Sequence, residues 1–167
     1  MDRPGKTKYF LDIAVAVAAR STCLRRKFGA VIVKGNSIVG TGYNGNARGV
    51  INCYEVGCIK DMKDLPANKA YDLCPAVHAE ENAIINSSRS DRIGARLYIA
   101  GLNPDGGYTR ADPCQRCKRK IINSEISEVV LLDEDGQPVR IDVKDFAQED
   151  TAWYIRELGK VRENGVK

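Results

Sequence analysis

Apolar positions recur along this chain in two rhythms. From Thr7 to Ser21 they follow helical spacing, with Phe10, Ile13, Ala14 and Val17 on one face, which predicts an amphipathic helix. The next stretch, "FGAVIVKGNSIVGTGYN", holds two β-rich apolar runs on either side of Lys34-Gly35-Asn36 and reads as a hairpin. Both rhythms are lost in 45–73, which is rich in Gly, Asn and Asp. Helical spacing returns from about Pro75 to Ser88, and "ARLYIAG" predicts a strand. A polar loop through Asn103 and Gly107 leads to a third helix from about Asp112 to Asn123. "EISEVVLL" is the next strand, Asp135-Gly136 turns the chain through "PVRIDV", and a last helix covers Gln148 to Leu158. Strands alternating with helices predict an α/β domain layered around one sheet.

Composition narrows the class. The 167 residues fit one domain, 1–167, with a core of about 7–132 and a C-terminal extension over 133–167. Hydrophobic content of 43% and charged content of 29% are those of a globular protein. The net charge of +4, from 26 basic and 22 acidic residues, is too mild to imply a nucleic-acid partner. Two short basic clusters, Arg25-Arg26-Lys27 and Lys118-Arg119-Lys120, have the charge to hold a phosphate. Basic Arg3, Lys6 and Lys8 before "FLDIAVAVAA" imitate a signal peptide, but Asp12 interrupts the apolar core. No apolar run approaches the ~20 residues of a membrane span. The composition therefore reads as a cytoplasmic protein with no membrane partner.

Six cysteines and a single histidine carry the candidate chemistry. In a reducing compartment, clustered Cys bind metal or react more often than they form disulfides. His78 lies in "CPAVHAEENAII", and Cys114 and Cys117 lie in "DPCQRCKRKII". Cys114 and Cys117 are three apart, on one helix face, with Asp112 as the expected cap and Pro113 at the first helical position. A helix N-terminus favours thiolates through its dipole. Two facing helix starts would then supply three N/S ligands and leave one position open, the catalytic form of a zinc site. Glu80, in the first turn after His78, can point at that open position. A non-catalytic zinc-binding domain would have no use for Glu80. A redox CxxC would follow a strand with no His-Ala-Glu beside it. A triad hydrolase would need His78 twice.

His78-Ala79-Glu80 together with Pro113-Cys114-Gln115-Arg116-Cys117 resembles the zinc-dependent nucleoside and nucleotide deaminases. "FGAVIVKGNSIVGTGYNG" and "HAEENAI" resemble, more narrowly, the deoxycytidylate (dCMP) deaminases and their competence-operon relatives, over roughly Leu11 to Leu132. The resemblance implies a three-layer α/β/α cytidine-deaminase-like fold with a central mixed sheet of about five strands. It implies zinc on His78, Cys114 and Cys117, with Glu80 as the catalytic proton carrier. Asn44 and Ala79 would contact the nucleoside, and Arg26 is the nearby cation for a phosphate. The implied reaction is hydrolysis of dCMP to dUMP with release of ammonia. Alternatives within the class are cytidine, a guanine-like ring or an adenosine in RNA. Cys23, Cys53, Cys58 and Cys74 remain, the number a closed structural zinc site requires, and some dCMP deaminases carry such a second zinc. The resemblance also implies a homo-oligomer, a hexamer, regulated by dCTP and dTTP with magnesium. Two features depart from the family pattern. "GLNPDGGYTRAD" is inserted before the Cys pair, and "VVLLDEDG" stands where a tyrosine-bearing sequence is expected near the base. Tyr108, in the insertion, is the candidate replacement.

Overall fold

A computed structural model describes residues 3–66 and 69–163. In chain order the elements are α1 (Lys6–Ala18), β1 (Lys27–Lys34), β2 (Ser37–Tyr43), β3 (Gly45–Asn46), α2 (Cys53–Val56), α3 (Ile59–Met62) and β4 (Ala76–Val77). They continue as α4 (Ala79–Ile85), α5 (Arg89–Arg92), β5 (Arg96–Leu102), α6 (Gln115–Asn123), β6 (Glu128–Leu132), β7 (Pro138–Asp142) and α7 (Val143–Glu163). Gly35 and Asn36 both have positive φ, 55° and 70°, which is what a tight turn between right-twisted strands demands.

Five strands form one mixed sheet in the order β2-β1-β5-β6-β7. β5 and β6 are parallel, and the other neighbours are antiparallel. The parallel pair requires a crossover, which α6 supplies. Strand parity then sorts the core. Ala30, Ile32, Leu97, Ile99, Val129 and Leu131 face one side, where they meet α4, α6 and α7 through Ala83, Ile121 and Phe146. Val31, Val33, Tyr98, Ala100, Val130 and Leu132 face the other, against Phe10, Leu11 and Ala14 of α1. Burial on both faces explains the unbroken apolar runs of β1, β5 and β6. The three-layer α/β/α arrangement expected from the resemblance is therefore present.

Several boundaries differ from the sequence expectation. α4 begins at Ala79 rather than near Pro75, because Ala76–Val77 pairs with Gly45–Asn46 as a short second sheet. α6 begins at Gln115, and Asp112 pairs with Arg110 at 2.7 Å instead of capping the helix. α7 begins at Val143, five residues before expectation: the Asp142 carboxylate accepts the Lys144 N–H at 2.9 Å, and Val143 and Phe146 are buried. No helix among the described residues is long and apolar enough to cross a membrane.

Candidate active site

The sheet sets the position of α4. Residues Gly40 and Gly42 of β2 lie under it, and a Cβ on Gly42 would collide with the backbone of Ala79, Asn82 and Ala83. Only the absence of a side chain allows so close an approach. Two amides then fasten the helix: Asn82 Nδ2 donates to the Tyr43 carbonyl at 2.8 Å, and Asn86 Nδ2 to that of Thr41 at 2.9 Å. His78 is the N-cap of α4 and Cys114 is the N-cap of α6, with Cys117 in the first turn of α6. Each candidate ligand thus sits at a helix start on the same side of the sheet.

The three meet. Cys114 Sγ and Cys117 Sγ lie 3.5 Å and 3.4 Å from His78 Nδ1. Among the described residues, this is the only group of three or more ligating side chains whose donor atoms all fall within 4.8 Å of one another. Tetrahedral zinc, with bonds of about 2.3 Å to sulfur and 2.0–2.1 Å to nitrogen, sets that S···N spacing at about 3.5 Å. The donor set and its spacing fit zinc. The thiols already share charge: a hydrogen bond from Cys117, then one from the His78 imidazole, holds Cys114 down at about 4. The same hydrogen bond, with burial, pushes Cys117 well above the ordinary thiol value. A divalent cation held by these residues would stabilise both sulfurs as thiolates.

Glu80 is 7% exposed, and burial pushes its carboxyl pKa up. It lines a cavity of about 560 Å³ together with His78, Ala79 and Cys114. Asn44, 8% exposed, lines the same cavity. Its Oδ1 accepts from the Ser21 hydroxyl and the Phe28 N–H, each at 2.7 Å, and its Nδ2 donates to the Arg26 carbonyl at 3.0 Å. A carboxamide has two donor hydrogens, so one remains for a ligand. Arg26 is exposed at the rim.

A family description, the cytidine and deoxycytidylate deaminase zinc-binding region, matches residues 4–133. The chain belongs to this deaminase family. It is 38% identical over 128 residues to a deoxycytidylate deaminase of Schizosaccharomyces pombe, which covers 77% of this chain and 37% of that one. It is 41% identical over 139 residues to the deoxycytidylate deaminase of Mycobacterium phage D29, covering 80% of this chain and 99% of the phage enzyme. The chain thus spans well under half of the yeast relative but nearly all of the phage one. Among solved structures, the dCMP deaminase of cyanophage S-TIM5 in complex with dCMP and dUMP superposes with a TM-score of 0.55 at 25% identity. That match covers 78% of this chain and 83% of the phage enzyme.

Within this deaminase fold, the remaining cysteines approach one another without closing a ligand set. Cys53 is raised by burial and then by Cys58, Cys23 and Cys74, so the four thiols are neighbours. No three of their sulfurs fall within 4.8 Å of one another. Tyr108 does not line the cavity; it bridges to Leu102 and is 42% exposed. The aromatic ring beside the metal group is Tyr71, with its centroid 5.7 Å from that of His78. Next to it lies Lys60, 5% exposed, with Nζ 5.3 Å from the Tyr71 ring. Neither stands out in the sequence, because both belong to the aperiodic segment 45–73. The Glu81 carboxylate accepts the His78 backbone N–H at 2.9 Å, closing the first turn of α4.

Proposed function

We propose that this protein is a hydrolytic deaminase converting dCMP to dUMP with release of ammonia. The observation that carries this reading is the convergence of His78, Cys114 and Cys117 on one point, with buried Glu80 on the wall of the same cavity. Zinc on those three residues would supply the Lewis acidity that makes water a nucleophile at neutral pH. Glu80 takes the proton of the attacking water and delivers it to the pyrimidine N3. It then moves the second proton to the departing amino group, so ammonia leaves and the ring keeps a carbonyl. Burial suits this work, since a carboxyl raised toward neutrality both accepts and gives protons. Asn44 offers its remaining N–H to the nucleoside, the N–H of Ala79 at the start of α4 offers a donor to the base, and Arg26 offers its charge at the rim. The deoxycytidylate deaminases at 38% and 41% identity support the choice of substrate.

The same reading extends to the rest of the molecule. The nearness of Cys23, Cys58 and Cys74 to Cys53 supports a second, structural zinc that would draw the four sulfurs together. All six cysteines stand outside any disulfide, which suits a reducing, cytoplasmic setting. We read 1–167 as one domain acting as a homo-oligomer, a hexamer, with dCTP and dTTP as magnesium-dependent regulators.

A substrate panel tests the reaction. Purified protein is given dCMP, CMP, deoxycytidine, cytidine, guanine and an adenosine-bearing RNA, and ammonia is measured. Fastest release from dCMP supports the reading; release from guanine or RNA alone replaces the substrate; none from any member, with zinc bound, removes the activity.

A further inference from the structure

We propose that Ser21 is the positioning residue that holds Asn44 toward the nucleoside, reaching it from the end of α1. This rests on the deaminase reading, in which Asn44 contacts the substrate, and adds the residue that sets its aim.

Asn44 does not aim itself. It stands between β2 and β3, and its side chain turns about two torsions, χ1 and χ2. An amide turned by half a revolution would offer an acceptor where it now offers a donor. Two backbone groups at the start of β1 decide that choice: the Phe28 N–H donates to Oδ1, and the Arg26 carbonyl accepts from Nδ2. Ser21 supplies a different constraint. Its Oγ lies 2.7 Å from Asn44 Oδ1 and 2.7 Å from the Asn44 carbonyl oxygen. A single hydroxyl hydrogen shared between the amide and the main chain of one residue clamps the two together and fixes χ1. The hydroxyl is itself oriented, because its oxygen accepts the Cys23 N–H at 3.2 Å and its hydrogen is left for Asn44. Ser21 and Asn44 are each only 8% exposed, so water competes little for these bonds.

The place of Ser21 follows from α1. Gly29 of β1 lies under the end of that helix, where a Cβ would collide with the Ala14 carbonyl and the Ala18 nitrogen. Glycine therefore lets α1 settle directly on the strand. The Ser21 N–H then donates to the Ala18 carbonyl at 2.9 Å, which keeps the residue on the last turn of the helix. α1 covers the sheet face opposite to α4 and α6. The metal-ligand side chains thus come from one layer, and Ser21 brings the placement of the other layer to the cavity that Asn44 lines. In the sequence Ser21 is one more polar residue after a helix, and its partner is 23 residues away.

The test separates aim from fold. Ser21→Ala, folded and zinc-loaded, should raise KM for dCMP and weaken dUMP binding in calorimetry by about tenfold, as loss of a buried hydrogen-bond partner does, with kcat within about threefold. Ser21→Cys, a weak donor of similar shape, should fall between, and it replaces Ser21→Ala should that variant not fold. Asn44→Ala supplies the decisive background. There Ser21→Ala should change dUMP affinity by less than about twofold, because a residue that acts through another adds nothing once that other is gone. A further loss of about tenfold in that background would show that Ser21 acts on the fold alone and would overturn the proposal. So would a Ser21→Ala that binds dUMP as the wild type does. In either case, wild-type deamination of dCMP leaves the deaminase reading standing. Zinc-loaded wild-type protein that neither deaminates dCMP nor binds dUMP overturns both.

Discussion

The Glu81 carboxylate accepts the backbone N–H of His78 at 2.9 Å, and its other oxygen pairs with Lys120 of α6. One side chain thereby closes the first turn of α4 and ties it to the helix that carries Cys114 and Cys117. The ligand triad is assembled from two helices, so its geometry depends on this brace. Glu81→Ala should weaken zinc binding by about tenfold, in the range seen when groups that orient ligands are removed. It should also lower Tm by about 2–4 °C, as loss of a helix cap worth about 1 kcal/mol does in a domain of this size. Glu81→Gln retains an acceptor for the His78 N–H and should fall between. Chelator competition and thermal melting measure both; unchanged zinc affinity in Glu81→Ala would show that the helices hold the triad without it.

Glu80 has the opposite signature. It is buried beside the triad but stands outside the group of donor atoms that converge on one point. Glu80→Gln should keep the zinc of the wild type and lose turnover by at least about 10²–10⁴-fold, the usual contribution of a positioned acid–base group. Metal content and ammonia release are read on the same sample. Loss of zinc would make Glu80 a ligand, and near-normal turnover would remove it from the proton path.

Gly42 tests whether the sheet positions the site. A methyl group there meets the backbone of α4 rather than a flexible side chain, so the helix itself must move. Gly42→Ala should destabilise the fold by roughly 1–3 kcal/mol or more, as overpacking does, and should reduce activity by more than stability alone explains. Chemical denaturation together with kcat/KM on zinc-loaded protein separates the two. Wild-type stability and activity would mean that the helix–sheet spacing has slack at this point.

How much of this was legible in the sequence follows from what each feature depends on. β1, β5 and β6 are buried on both faces, so their apolar runs announced them without the structure. The Cys114, Cys117, His78 and Glu80 group was legible because metal chemistry needs those residue types near helix starts. The starts themselves were misjudged because His78 and Cys114, not the usual cap residues, occupy the N-cap positions, while Asp112 turns to Arg110. Glycines in a strand read as weak β formers, so the role of Gly40 and Gly42 emerges only when α4 is laid on them. Lys60 and Tyr71 gave no signal, since their placement is decided by a segment with no periodicity. Their meeting with His78 is a tertiary fact.

The assembly is tested in solution. Large apolar side chains stand exposed on several elements, Ile85 at 71%, Met62 at 72% and Ile155 at 64% among them. Exposed apolar surface of this kind is commonly covered in an oligomer. Light scattering on purified, zinc-loaded protein should give a mass several times that of the chain's 18.4 kDa, with a hexamer as the expected state. A monomer at micromolar concentration would contradict it. Ammonia release from dCMP with and without dCTP or dTTP and magnesium then tests regulation, and an unchanged rate curve would remove it.

The four remaining cysteines yield the sharpest metal count. Cys53 is the first residue of α2, Cys58 is the N-cap of α3, Cys23 follows α1 and Cys74 stands four residues before His78. A zinc ion joining them would pin the aperiodic segment that carries Lys60 and Tyr71 to the start of the catalytic helix. Four thiolates form a closed structural site, whose binding energy is folding energy. Metal analysis should find two zinc ions per chain, falling to one in Cys53→Ser, with a lowered Tm. Because a second ion there would support the wall of the cavity, Cys53→Ser should raise KM for dCMP more than it lowers kcat, whereas loss of an ion at His78, Cys114 and Cys117 should abolish turnover outright. Titration of native thiols supplies the counter-test. A wild-type count of one zinc, with all four of these thiols reactive in the folded protein, would show that they are separate side chains and that the segment is held by protein contacts alone.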